Sequence, residues 1–199
     1  MTKYPIHLIR LIDTLRKLPG VGTKSAERYA FFLVDQDPSI LKEMAKTFSE
    51  LPEKITFCKE CGCMEVEKKC PFCISSNRDT SSLCILHTPK DAFAMEETHE
   101  YTGLYHVLGR LLSPIDNFSS DFLPIDKICE RIEQLGTKEV IFALDSTIEA
   151  DATALYLKER LSSMNVTLSR LAYGLPMGSA LDFVDGGTLG KALAGRSNF

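Results

Sequence analysis

The stretch Cys58-Lys-Glu-Cys61-Gly-Cys63-Met-Glu-Val-Glu-Lys-Lys-Cys70-Pro-Phe-Cys73 divides this chain of 199 residues into two dissimilar parts. Two residues separate Cys58 from Cys61, eight separate Cys61 from Cys70, and two separate Cys70 from Cys73. That spacing makes two knuckles, each turning a pair of thiolates toward one centre, as tetrahedral zinc requires. Four thiolates fill the coordination sphere and leave no position for a catalytic water, so the pattern predicts one structural Zn2+ per chain. Five of the seven cysteines crowd between Cys58 and Cys73. A secreted disulfide framework spreads its cysteines and follows a signal peptide, so metal is the better reading of this cluster. Reduced or redox-active thiols compete with it. Cys63 is a spare ligand that reads as a free thiol, whereas Cys84 and Cys129 sit in apolar patterns as buried small hydrophobes. So short a segment has little apolar core of its own, and metal binding here is expected to act through folding.

Ahead of the cysteines the pattern is helical. Ile6, Leu8, Ile9, Leu11, Ile12 and Leu15 recur at helical spacing, and Leu18-Pro-Gly-Val-Gly22 interrupts them. A second helix is expected from Thr23, as N-cap, through Val34. Asp37 before Pro38 signals a third, with Ile40, Leu41, Met44, Ala45, Phe48 and Leu51 as its stripe and Pro52 as its end. Behind the cysteines, apolar runs alternate with amphipathic ones. Strands are expected at Leu83–Leu86, Val140–Leu144 and Val166–Leu171. Helices are expected at Asp91–Thr98, at Ile125–Leu135 closed by Gly136, at Glu149–Met164, and around Leu189, Ala192 and Leu193. Alternation of this kind implies a parallel α/β arrangement.

Composition is that of a globular protein, with 44% hydrophobic and 25% charged residues. No apolar run approaches the roughly 20 residues of a membrane span, and Met1-Thr-Lys-Tyr-Pro5 lacks the apolar core of a signal peptide, so a cytoplasmic location is expected. The net charge of -4 excludes a protein coated in positive charge, but not nucleic-acid binding, because distribution matters more than the sum. Residues 1–34 carry Lys3, Arg10, Arg16, Lys17, Lys24 and Arg28 against only Asp13 and Glu27.

Gly20 and Gly22 therefore stand at the positive end, in a turn between two helices. Missing Cβ atoms let that backbone approach another surface, and its N–H groups and the dipole of the next helix favour a phosphate oxygen. Lys24 and Arg28, four residues apart, share a helix face beside the turn. Leu18 and Val21 are expected to pack the hairpin, and Ala26 and Ala30 to let the helices approach. Such contacts position a nucleic-acid backbone without reading sequence. A plain helical connector with a solvated basic face is the competing reading.

Leu18-Pro-Gly-Val-Gly-Thr-Lys-Ser-Ala-Glu-Arg28 resembles the helix-hairpin-helix motif of the RecR family of recombination mediators. Tyr101-Thr-Gly-Leu-Tyr-His-Val-Leu-Gly109 followed by Leu112-Ser-Pro114, Glu149-Ala-Asp-Ala-Thr-Ala-Leu-Tyr-Leu157 and Gly174-Leu-Pro-Met-Gly178 are similar to further blocks of that family. The resemblance runs from about residue 4 to Arg196. It implies an α+β multi-module protein: a helix-hairpin-helix DNA-binding module (1–53), a four-cysteine zinc module (54–78), a Toprim-like α/β domain (79–175) and a Walker B-like C-terminal segment and helix (176–199). It further implies single- and double-stranded DNA as partner without sequence preference, a homo-tetramer built from dimers, and action with RecO, and RecF where present, to load recombinase onto single-stranded DNA. Glu149 and Asp151 are the implied contacts for RecO.

This chain departs from the family at His87, where Glu is usual, and at Asp145 and Ala150, where Asn and Gly are usual. Neutral imidazole is a poor ligand for hard Mg2+, and Asp145-Ser-Thr147 lacks a second carboxylate two residues on. No phosphate-binding loop precedes Leu181-Asp-Phe-Val-Asp185, and no catalytic residue is expected. Two other readings remain. A Mg2+-dependent Toprim nuclease or primase would use Asp145, Glu149 and Asp151; a protein–protein adaptor would lack DNA affinity. His7 and His106 read as core residues, and His99 lies on an acidic, solvated stretch.

Overall fold

Ala26 and Ala30 lie one turn apart and are wholly buried, so the helix that carries them comes close to its neighbour. The computed structural model describes residues 4–74, 77–113 and 123–196, and its contacts divide the chain into two units, Met1–Lys54 and Ile55–Phe199. Lys3 and Pro114, used in the sequence reading, lie outside the described residues.

In the first unit α1 (Ile6–Leu15) packs on α2 (Thr23–Val34) through Ile12, Ala26 and Ala30, with Leu8, Leu11, Leu15 and Val21 around them. Leu18 does not join this core: it is 52% exposed in the turn. His7 is also exposed rather than buried, on the outer side of α1. Thr23 is the first helical residue and not the cap. The Gly22 carbonyl already accepts from the Ala26 N–H at 2.9 Å, which moves the cap back to Gly22. Pro52 does not end α3 (Pro38–Lys54). It falls in the last turn, where its missing N–H costs the helix only one bond. No residue of α3 is buried, and Ile40, Met44, Phe48 and Leu51 face outward.

The second unit is built on a parallel sheet of order β4-β3-β5-β6, formed by β3 (Asp79–Leu86), β4 (Gly103–Val107), β5 (Glu139–Ala143) and β6 (Thr167–Arg170). A two-stranded antiparallel ribbon, β1 (Ile55–Phe57) with β2 (Met64–Val66), and the short α4 (Pro71–Ile74) carry the cysteines. The helices are α5 (Pro89–Glu96), α6 (Ile125–Leu135), α7 (Ile148–Leu161) and α8 (Gly186–Ala194). Gly136, at φ +64°, closes α6 in the left-handed conformation that glycine adopts most readily.

Strand β3 reads as an unbroken apolar run because both its faces are covered. Leu83 and Ile85 point into a core with Ile128 and Ile132 of α6 and Leu157 and Leu161 of α7. Cys84 and Leu86 point the other way, into a core with Tyr105, Val107, Phe72 and the cysteine knuckles. Besides the β1–β2 ribbon and α4, two features of the main sheet lie outside the sequence expectation. Strand β4 is buried along its whole length, and its Tyr105 and His106 hide any apolar alternation. Strand β3 starts at Asp79, four residues before its apolar part. The C-terminal Leu181–Phe183 is a 3-10 turn rather than a strand, and neither it nor α8 buries a residue.

Leu157 has no exposed surface. Leu157→Ala is expected to lower the unfolding free energy by about 2–5 kcal/mol, measured as a shift of the urea midpoint at constant m-value.

Candidate metal centre and nucleic-acid interface

The turn after β1 sets the first two thiols in place. The Cys58 N–H donates to the Cys63 carbonyl and the Gly62 N–H to the Cys58 carbonyl, each at 2.8 Å. The second pair flanks the start of α4, where the Cys73 N–H donates to the Cys70 carbonyl at 3.2 Å. The four sulfurs of Cys58, Cys61, Cys70 and Cys73 lie within 4.8 Å of one another. Sγ of Cys58 and Cys73 are 4.0 Å apart, and those of Cys61 and Cys70 3.5 Å. Tetrahedral sulfurs at the Zn–S bond length stand about 3.8 Å apart, so the set fits one such ion. Among the described residues it is the one place where three or more His, Cys, Asp or Glu ligand atoms converge. Cys63 is fully buried but outside the set; its N–H donates to Cys61 Sγ at 3.4 Å.

Three of these thiols hold their protons tightly. Burial pushes Cys70 up to about 11, a hydrogen bond with Cys63 raises Cys61, and one with Cys61 raises Cys73. At neutral pH these three become thiolates only if a cation replaces the protons.

Beside the cysteines lies a buried cation, Arg131 of α6. Its Nη1 donates to the carbonyls of Tyr105 at 2.7 Å and Glu60 at 3.3 Å, and to His106 Nδ1 at 3.3 Å. Its Nη2 reaches Cys73 Sγ at 3.7 Å. A guanidinium only donates, so His106 must accept through Nδ1 and carry its proton on Nε2. Burial and the Arg131 charge push the His106 pKa down to about 4, which keeps it neutral.

In the first unit the turn between α1 and α2 holds Gly20 at φ +77°, a conformation that side chains resist. No atom lies within 4 Å of where a Cβ would stand on Gly20 or Gly22. The turn is thus open to a surface brought against it. No side chain caps α2, and Lys24 and Arg28 are exposed on its first two turns.

At the carboxyl ends of β3 and β5, a cavity of about 450 Å³ is lined by residues that include His87, Arg110, Asp145, Thr147 and Glu149. His87 Nδ1 donates to Asp145 Oδ2 at 2.9 Å. Asp151, on the same helix as Glu149, is engaged elsewhere. Arg170 and Tyr173 donate to its Oδ1, Lys191 lies 3.6 Å from its Oδ2, and these partners hold its pKa below the ordinary carboxylate range. Asp145, Glu149 and Asp151 therefore do not converge on one ion position, contrary to what the Mg2+-dependent reading requires.

Arg131, Arg170, Tyr173 and Lys191 were not among the sequence-derived site residues. Arg131 had a signal: it is the charged residue within the apolar face Ile125, Ile128, Ile132. The others approach Asp151 only through the fold.

A parallel sheet with its acidic edge at the strand ends, a four-cysteine cluster on one face and a helical hairpin in a separate unit define a Toprim-domain protein with a helix-hairpin-helix module. The Toprim domain model matches residues 81–172, the model for the RecR helix-hairpin-helix matches 8–51, and that for the RecR C-terminal region matches 174–197. The chain is 52% identical to Recombination protein RecR of Protochlamydia amoebophila (strain UWE25), over 99% of this chain and 100% of the relative. It is 49% identical to Recombination protein RecR of Chlamydia abortus and 46% identical to that of Chlamydia trachomatis serovar D, in each case over the full length of both. The chain belongs to the RecR family.

Two outcomes are expected. Elemental analysis of protein refolded with a thiophilic divalent ion gives one ion per chain, and Cys70→Ser reduces both the bound ion and the thermal midpoint. For His106 the folded pKa is depressed, so the unfolded chain takes up a proton that the folded one refuses. Stability then falls as pH drops from 6.5 toward about 4. His106→Asn, which offers an amide oxygen to Arg131, is expected to remove that part of the decline, of order 3 kcal/mol. Urea titrations of both proteins at pH 7 and pH 4.5 measure it.

Proposed function

We propose that this chain is a non-enzymatic, DNA-binding recombination mediator, with Gly20, Gly22, Lys24 and Arg28 as its phosphate contacts and one structural Zn2+ on Cys58, Cys61, Cys70 and Cys73. The observation that carries the reading is the hairpin turn. Its two glycines face open space, and an uncapped helix start and two exposed cations stand beside it. Backbone amides, a helix dipole and mobile cations together favour a phosphate chain of any sequence, single- or double-stranded.

The non-enzymatic part is supported by the dispersal of the carboxylates. Asp145 is bonded to His87, and Asp151 to Arg170. Zn2+, rather than a harder ion, suits four sulfurs. The metal's contribution is to tie the two knuckles together; the cysteines hold it and exclude water from it.

Assembly into a homo-tetramer built from dimers is supported by large apolar side chains left exposed in both units. Phe32 and Phe48 are exposed in the first unit, and Met177, Phe183 and Leu193 in the second. Exposed apolar side chains that cluster mark association sites. A closed assembly would multiply weak backbone contacts by raising their effective concentration. In the cytoplasm, with RecO and with RecF where present, the protein would load recombinase onto single-stranded DNA, with Glu149 and Asp151 facing RecO. Glu149 is the stronger of these two contacts, because the Asp151 carboxylate is already engaged by Arg170 and Tyr173.

The test is DNA affinity across a salt series for the wild type and a Lys24→Ala/Arg28→Ala double variant. Log K is expected to fall linearly with log salt, and the double variant to flatten the slope by about one to two units per subunit engaged. A wild type without salt-dependent binding, alone or with RecO, would replace this reading with that of a protein–protein adaptor.

A further inference from the structure

Arg131 is a cation buried beside the cysteine sulfurs, and we infer that it is a positioning residue for the metal, holding Cys73 as a bound thiolate and balancing the charge of the filled site. The inference rests on the reading that the four cysteines hold a divalent ion.

Its first support is an imbalance. Arg131 is 8% exposed, and its partners among the described residues are two carbonyls, one neutral imidazole and one sulfur. Among the described residues no carboxylate is within ion-pair distance of it. Glu60 and Glu130 line the same shallow cavity of about 260 Å³, yet neither carboxylate reaches it. A buried cation without a counter-charge is strongly disfavoured. Four thiolates around a divalent ion carry a net charge of two negative units, and they supply the missing anion in the same core.

The second support is direction. Three acceptors, Tyr105 O, Glu60 O and His106 Nδ1, engage Nη1 and fix the plane of the guanidinium. That leaves Nη2 aimed at Cys73 Sγ, 3.7 Å away, within the range of an N–H···S bond. Cys73 is also the least enclosed of the four ligands. A fixed N–H donor at that sulfur holds the least enclosed ligand in place.

Two variants separate charge from packing. Arg131→Gln keeps an N–H donor and loses the charge, while Arg131→Lys keeps the charge. On full-length protein, Zn2+ affinity is measured at pH 7 by competition with a chromophoric chelator. The midpoint of acid-driven Zn2+ release and the thiolate-to-cobalt charge-transfer band of the Co2+ form complete the set. Arg131→Gln is expected to bind Zn2+ about 10- to 100-fold more weakly, to release it at higher pH and to shift the Co2+ band. Arg131→Lys is expected to stay near wild type in all three. A purely packing role would lower thermal stability in both variants without moving the affinity or the acid midpoint. Wild-type affinity in Arg131→Gln overturns the inference, as does a loss in Arg131→Lys equal to that in Arg131→Gln. If Arg131→Gln does not fold, Arg131→Lys decides alone: near-wild-type affinity and midpoint support the inference, and a 10-fold loss defeats it. A wild type that takes up no Zn2+ would overturn both this inference and the reading beneath it. A wild type that binds one ion, with Arg131→Gln unchanged, would overturn this inference only.

Discussion

Both faces of β3 have to be covered, and the two covers are different in kind. Leu83 and Ile85 meet α6 and α7, whose buried leucines and isoleucines make a conventional apolar core. Cys84 and Leu86 meet the cysteine knuckles together with Phe72, Tyr105 and Val107. The second cover joins α5, through Ala92, to much shorter elements; β1, β2 and α4 span three, three and four residues. Elements so short do not hold together by burial alone, and it is the convergence of four sulfurs that gives them a common centre. The cover of this face of β3 therefore includes a site that lies outside the sheet.

Arg131 connects the two covers. Its helix belongs to the apolar core through Ile128 and Ile132, while its guanidinium crosses toward β4 and Cys73. His106 is drawn into the same arrangement: a neutral ring, proton on Nε2, sits where a charged one would repel the guanidinium. The interior polar groups of this region are thus mutually determined. A change in the protonation of one alters what its neighbours can accept.

The helices and the inner strands were legible because each carries its own periodic signal. The stripe of α1, the run Leu83–Leu86 and the glycine after α6 each report a local environment. Strand β4 was not legible, since Gly103-Leu-Tyr-His-Val107 is buried on all sides and its polar groups are satisfied by distant partners. Leu18 and His7 were misplaced for the complementary reason: apolar neighbours in sequence do not show which side of a turn or helix faces out. The convergence of the four cysteines was legible from spacing alone, because two knuckles impose their geometry locally. The tie of Asp151 to Arg170, Tyr173 and Lys191 joins residues up to 40 positions apart, and no pattern along the chain encodes it.

The edge of the sheet shows how a fold can keep a shape while its chemistry changes. His87 and Asp145 close on each other at 2.9 Å, so the imidazole occupies the carboxylate that an ion would need. Asp151, one turn along α7, is neutralised by a guanidinium and a phenol and is further fixed by Lys191 from α8. Of the three acids, Glu149 lines the cavity without a base of this kind among the described residues. A hard divalent ion needs several oxygens at once, and these contacts leave too few in one place. The same contacts leave a mixed-charge rim, since Asp145 and Asp151 are each paired with a base from a different element. Pairs of that kind commit Asp145 and Asp151 to neighbours within the fold.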